Sequence, residues 1–290
     1  MCRLFGLSAA PQRVHATFWL LEAPDSLSQQ SHREPDGVGL GTFTAAGAPL
    51  VEKQPIAAYE DRLFAQEARE CESETFVAHV RFASTGGLNT RNTHPFEQHG
   101  RLFAHNGVLQ GLDELDHELG DYRRLVHGDT DSERFFALIT ARIDHHAGDV
   151  TAGITDAVGW IADRLPLYAL NLILTTATEL WALRYPDTHD LYVLERAAGG
   201  AQGDRRLDHA SHRHKGIRTS SGALTDYPAV VIASERMDDD PGWRLLASGE
   251  LLHVNGRLDV RSSIIRDSPP RHLLSLADLD ETAAASQTAH

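Results

Sequence analysis

A cysteine stands directly behind the initiator methionine, at position 2 of a 290-residue chain that holds only two cysteines. Removal of Met1 gives Cys2 a free α-amine beside its thiol. An α-amine titrates at about 7.7–8.0, so it can act as a general base at neutral pH. Position alone leaves two interpretations open: Cys2 is an N-terminal nucleophile, or it is an ordinary residue of a buried first strand.

Four further residues have the types that amide chemistry on an amino acid needs. Asn106 and Gly107, in "AHNGV", offer a side-chain amide and an unobstructed backbone N–H for an oxyanion. Arg81 ends a predicted strand and could hold a carboxylate, and Asp131, at a predicted helix start, could hold an ammonium group. Each has a structural alternative: a hairpin turn at Asn-Gly, a surface ion pair, and a helix cap.

Six short motifs follow one another along the chain: "MC", "HREPDGVG", "HVRFAST", "NTHPF", "AHNG" and "GDTDSE". In this order they resemble the class II glutamine amidotransferases, which use an N-terminal nucleophile. The resemblance implies that Cys2 attacks with its own amine as base, and that Asn106 and Gly107 form the oxyanion hole. It also implies that Arg81 binds the α-carboxylate of glutamine and Asp131 its α-ammonium group.

Two more residues are assigned by resemblance alone, and both are counted with the substrate-binding set. Arg33, in "HREPDG", resembles a structural arginine near the N-terminal residue. His94, in "NTHPF", resembles a pocket residue. Many relatives have glycine where this chain has Glu34, a carboxylate that could repel the carboxylate of a substrate.

The resemblance narrows the expected activity. No phosphate-binding loop follows residue 165, so we expect a stand-alone domain similar to the γ-glutamyl hydrolase of ergothioneine biosynthesis. The expected reaction is cleavage of the γ-amide of glutamine or of a γ-glutamyl compound through a thioester on Cys2. The alternative is a non-catalytic or partner-dependent glutaminase subunit that supplies ammonia to a separate synthase.

The order of elements predicts an α+β fold. Strands come first, two helices follow within residues 129–165, and strands return, which favours antiparallel sheets with segregated helices. The resemblance implies the four-layer αββα sandwich of the Ntn-hydrolases. We expect one domain over residues 2–265 and a partly disordered tail over 266–290, and we expect the strand at 100–109 to end in an Asn-Gly turn.

The composition argues against three classes of protein: nucleic-acid-binding, membrane-spanning and disulfide-rich. The formal net charge is −14 with no basic stripe, which disfavours nucleic acid as a partner. No apolar run approaches the roughly 20 residues of a membrane span, and two cysteines make a disulfide framework improbable, so we expect a reduced, cytoplasmic protein. We expect no cofactor and no metal. The histidines of 209–214 are interpreted as a solvated cluster, and Cys71 is taken as incidental because acidic neighbours raise the pKa of a thiol.

Overall fold

The computed structural model describes residues 2–33, 36–81, 89–198 and 226–288. Within them the strands are β1 (Arg3–Ser8), β2 (Gly37–Phe43), β3 (Pro49–Gln54), β4 (Thr75–Arg81), β5 (Phe96–Gln98), β6 (Arg101–Leu109), β7 (Leu167–Thr175), β8 (Leu180–Arg184), β9 (Tyr192–Arg196), β10 (Ala229–Ala233), β11 (Arg244–Leu245), β12 (Glu250–Val254) and β13 (Val260–Ile264). The α-helices are α1 (Leu27–Gln30), α2 (Arg62–Glu70), α3 (Leu112–Leu119), α4 (Asp131–His145), α5 (Val150–Arg164) and α6 (Glu281–Thr288). A π-helical turn spans Phe18–Glu22.

The strands form two antiparallel sheets. The first sheet has seven strands in the order β11-β9-β10-β1-β4-β2-β3, and the second has six in the order β13-β12-β8-β7-β6-β5. The amino-terminal strand β1 lies in the middle of the first sheet, and all six of its residues are buried. The start of the chain is therefore fixed by pairing on both sides.

Three apolar layers hold the sheets and helices together. Apolar side chains of both sheets meet face to face, among them Leu4, Val77, Ala104 and Ile173. The outer face of the first sheet packs against the π-helical turn and α2 through Phe18, Trp19 and Phe64. The outer face of the second sheet packs against α4 and α5 through Phe136, Ile139, Ile154 and Val158. The predicted αββα sandwich is confirmed.

The Asn-Gly turn predicted at the end of the 100–109 strand was wrong. Asn106 and Gly107 lie inside β6, opposite Asn171 and Leu170 of β7. A Cβ on Gly107 would lie 1.9 Å from the carbonyl oxygen of Ala169. Glycine is needed here because the neighbouring backbone comes too close for a side chain, a requirement that a turn does not share.

The C-terminal segment, for which a partly disordered tail was predicted, includes a helix among its described residues. This helix is α6, in which Ala283, Ser286 and Gln287 are buried. The Gln287 side-chain oxygen lies 2.6 Å from Nε2 of His189. The last turns thus pack onto the body of the protein, and the boundary at residue 265 stays a prediction. None of the helices formed by the described residues has both the length and the apolar character needed to cross a membrane.

Candidate active site

Cys2 lies immediately before β1, and hydrogen bonds to its neighbours fix the strand from its first residues. The Leu4 N–H donates to the Ser234 hydroxyl over 3.0 Å, and the Leu4 carbonyl accepts from the Ser234 N–H over 3.1 Å. On the other side Arg3 pairs in register with Val80 of β4. Cys2 itself is half-buried. The strand holds this thiol at a defined place even though it is one residue from the end of the chain.

Cys2 lines a narrow pocket together with most of the residues that the sequence singled out. The lining residues are Cys2, His79, Arg81, Asn92, His94, His105, Gly107, Thr130, Asp131 and Ser132. Their elements start far apart in the chain: β4 and β6 come from different sheets, and Asp131 begins α4. The pocket is therefore formed where the two sheets and one helix meet.

Arg81 and Asp131 bring opposite charges into this pocket. Arg81 is the last residue of β4 and is only 4% exposed. Burial lowers the pKa of its guanidinium, and the neighbouring Cys2, Asp36 and Asp131 oppose that shift. Asp131 is 3% exposed. A buried cation and a buried carboxylate on one pocket suit a ligand that carries both charges itself.

Asp131 is not the helix cap that its position also allowed. The cap of α4 is Thr130, whose hydroxyl accepts from the Glu133 N–H over 3.2 Å. The Asp131 carboxylate instead accepts from the backbone N–H groups of Leu109 and Ser132, each over 2.8 Å. These bonds orient the carboxylate and leave further lone pairs for a ligand.

Asn106 reaches from the second sheet to the N-terminal residue. Its side-chain amide donates a hydrogen bond of 3.0 Å to the carbonyl oxygen of Cys2. Its own side-chain oxygen is buried and has no hydrogen-bond partner among the described residues. Gly107, the next residue, also lines the pocket. A side-chain amide donor thus lies next to Cys2, the arrangement that an oxyanion site would require.

Three buried histidines, from positions 79, 94 and 105, form one wall of the pocket. His94 was expected there, and its ring centroid lies 4.2 Å from that of His79. Burial lowers the pKa of His79 to about 3, with the charges of Arg81 and His105 acting in the same direction, and burial also lowers the pKa values of His94 and His105. The rings are therefore neutral at physiological pH. His79 was not predicted from the sequence, although it stands two residues before Arg81 and so on the same side of β4.

His105, Asn92 and Ser132 were also missed. His105 Nδ1 lies 3.0 Å from the Ser132 hydroxyl, which joins β6 to the start of α4. The Asn92 side-chain oxygen accepts from the Asp129 N–H over 3.0 Å and ties the two loops of the pocket rim together. All three stand inside motifs that had been noted for a neighbouring residue, and that proximity was the available signal.

Arg33 lies outside the pocket. Its guanidinium is 2.9 Å from Glu235 and 3.4 Å from Asp25. Glu235 also pairs with Arg3 at 2.6 Å, next to Cys2. This chain of ion pairs supports the structural role near the N-terminal residue and not a contact with substrate. Met1 and Glu34 lie outside the described residues.

Within the described residues, the remaining sequence candidates form no second site. The Cys71 thiol donates to Glu67 over 2.7 Å, and burial together with that carboxylate raises its pKa to about 12. Among the described residues no group of three histidine, cysteine or acidic side chains is placed to hold a metal ion. The histidines of 209–214 lie outside the described residues, as does nearly all of the polar loop around them.

Comparisons with known proteins show which family this chain resembles as a whole. The family model "Glutamine amidotransferases class-II" matches residues 1–273. An uncharacterized protein of Methanocaldococcus jannaschii is 28% identical over 97% of this chain and 79% of its own length. The γ-glutamyl-hercynylcysteine sulfoxide hydrolase of Mycobacterium tuberculosis is 28% identical over 93% of this chain and 100% of its own length.

The fold is shared with solved structures of larger enzymes. Glutamine phosphoribosylpyrophosphate amidotransferase of B. subtilis superimposes with a TM-score of 0.61 at 19% identity, over 92% of this chain and 50% of that one. At this identity the likeness establishes the Ntn-hydrolase fold only, and this chain spans half of that enzyme's length. Since the family model covers nearly the whole chain, the protein belongs to the class II glutamine amidotransferases and is an enzyme of that family.

Proposed function

We propose that this enzyme hydrolyses the γ-amide of glutamine or of a γ-glutamyl compound, with Cys2 as nucleophile. The observation that carries the proposal is the shared pocket of Cys2, Arg81 and Asp131, with the Asn106 amide 3.0 Å from the Cys2 carbonyl. A γ-glutamyl group has an α-carboxylate for Arg81 and an α-ammonium for Asp131. Its γ-carbonyl then has the thiol and the amide donor as neighbours.

The reaction follows from these roles. The Cys2 α-amine takes the thiol proton, and sulfur attacks the γ-carbonyl carbon. The tetrahedral oxyanion is stabilised by the Asn106 amide and the Gly107 N–H. As the C–N bond breaks, the α-ammonium gives its proton to the leaving amine. Water then attacks the thioester, with the α-amine again as base, and releases glutamate and the thiol.

Replacement of the nucleophile tests the proposal. Cys2→Ala should reduce γ-glutamyl hydrolysis by at least about a thousandfold, because the covalent route is lost. Cys71→Ala is the matched control, since it removes the other cysteine and should retain full activity. Full activity of Cys2→Ala would refute the assignment. Intact mass of the native protein checks that Met1 has been removed, on which the base depends.

The same assay separates the hydrolase from an ammonia-supplying subunit. If the chain is a hydrolase, we expect it to turn over a γ-glutamyl substrate without any partner. Turnover that requires an added synthase would instead support the partner-dependent glutaminase. The full-length match to a relative whose name describes a hydrolase supports the hydrolase function.

A further inference from the structure

A second pocket, of about 320 Å³, lies on the other flank of the N-terminal strand. Its walls include His189, Asp190, Tyr192, Ser234, Glu235 and Arg236. Residues 234–236 follow directly after β10, and Tyr192 begins β9. In the first sheet β1 lies between β10 and β4, so this pocket and Arg81 flank Cys2 from opposite sides.

The position of this pocket matches the direction in which a leaving group must point. In an amide the acyl part and the amine lie on opposite sides of the carbonyl carbon. Arg81 and Asp131 would hold the acyl part on the β4 side of Cys2. We propose that the second pocket is the leaving-group subsite and that it accepts an amine carrying a carboxylate, as an α-amino acid does. This inference rests on the proposed function.

The charges of the pocket select the carboxylate. Asp190 is offset by Arg184 at 3.3 Å, and its second oxygen accepts from the Tyr192 hydroxyl over 2.9 Å. Glu235 is offset by two arginines, at positions 3 and 33. Arg236 stacks over the Tyr192 ring, 5.8 Å from its centroid, and forms no ion pair within the described part of the chain. The charge that remains unmatched is therefore positive.

The wall formed by residues 187–190 is held rigidly. Arg184 is 7% exposed and donates to the carbonyl oxygens of His189, Asp187 and Leu246 over 2.8, 3.1 and 3.1 Å. Because these hydrogen bonds fix the backbone of the wall, the shape of the pocket is determined by the fold.

Asn171 connects this wall with the oxyanion site. Its side-chain amide donates to the carbonyl oxygens of His189 and Asp190 over 3.3 and 3.2 Å. In the β6–β7 ladder Asn171 is the direct partner of Asn106. The second pocket and the donor beside Cys2 are therefore one cross-strand pair apart.

The test compares two amides that differ in one carboxylate. γ-Glutamylglycine releases an amine that carries a carboxylate, and γ-glutamylmethylamide releases one that does not. Wild type should show a higher kcat/KM for γ-glutamylglycine. Arg236→Gln should reduce the ratio of the two kcat/KM values about tenfold, as expected for one accessible charge-assisted hydrogen bond, and should do so through KM. Arg236→Lys should retain part of the preference.

The control is Arg257→Gln, which removes the same charge from an exposed turn between β12 and β13 and should leave the ratio unchanged. An unchanged ratio in Arg236→Gln, or an equal fall in Arg257→Gln, would overturn the subsite. If wild type cleaves glutamine but not γ-glutamylglycine, the subsite falls and the proposed function stands. If it cleaves no γ-glutamyl compound, both fall.

Discussion

Acidification should destabilise this protein through a histidine that cannot take up a proton while the chain is folded. His79 is fully buried in β4, with the His94 ring 4.2 Å away. Burial lowers its pKa from 6.5 to about 3, and the nearby charges of Arg81 and His105 add to the shift. Within the described residues, no hydrogen bond or ion pair stabilises the protonated His79 ring enough to raise its pKa back to 6.5.

The direction and the magnitude of the stability loss follow from the linkage between proton binding and unfolding. Above pH 6.5 the ring is neutral in both states, and its contribution to stability is constant. Below pH 6.5 the unfolded chain binds the proton and the folded protein does not, so stability falls with pH until about pH 3. At pH 5 the loss from His79 is about 2 kcal/mol. The pKa values of His94 and His105 are lowered too, so the total loss should be larger.

Urea unfolding at pH 7 and pH 5 measures this loss as a difference between two free energies of unfolding. His79→Gln should lower stability at both values but should shrink the difference by about 2 kcal/mol, because the unfolded state loses its proton-binding ring. His117→Gln, in an exposed position of α3, should leave the difference unchanged. The reasoning is refuted if His79→Gln keeps the wild-type difference, or if NMR shows the His79 ring titrating near pH 6.5.

Further expectations can be checked on the same material. Gly107→Ala should unfold or expand the second sheet, seen as a lost cooperative thermal transition, because its Cβ would lie 1.9 Å from the Ala169 carbonyl oxygen. Gly159→Ala, in α5 with open space around the site, should instead raise the free energy of unfolding by about 0.5–1 kcal/mol. The Cys71 thiol, with a pKa of about 12, should escape iodoacetamide at pH 8 in the native protein, and a label there by mass spectrometry would contradict its half-buried state with a hydrogen bond to Glu67. Asp131→Asn should raise KM for γ-glutamyl substrates more than about tenfold in steady-state assays, since the group proposed to hold the α-ammonium loses its charge; an unchanged KM would remove it from that role.

Local sequence patterns were sufficient to predict the elements whose structure is determined by their own apolar periodicity. The two helices predicted within residues 129–165 correspond to α4 and α5 of the structure. The Asn-Gly pair misled because turn preference is a local property, whereas the pairing of Asn106 with Asn171 is set by the second sheet as a whole. A close-approach glycine and a turn glycine look alike until the neighbouring strand is known.

The candidate site likewise has residues that could be predicted from the sequence and residues that could not. Cys2, Arg81 and Asp131 could be proposed from residue type and motif order, and the structure brings them to one pocket. The burial of His79 could not be read from the sequence, because it results from the packing of two sheets. Nor could the partner of Arg33, which is Glu235, 202 residues further along the chain.

In the proposed function both halves of the substrate lie at one end of the first sheet, and the antiparallel strand order explains how this is possible. β4 and β10 both run opposite to β1, so both end where β1 begins. One neighbour delivers Arg81 to that edge and the other delivers residues 234–236. Because β1 pairs with each neighbour through its own ladder, changes after β10 need not disturb the register of Arg3 with Val80 that holds Cys2 in place. If Arg236 selects the leaving group as proposed, that selectivity can change while Cys2, Arg81 and Asp131 keep their geometry. The Arg236 variants should therefore alter the ratio between the two amides and leave the fold intact.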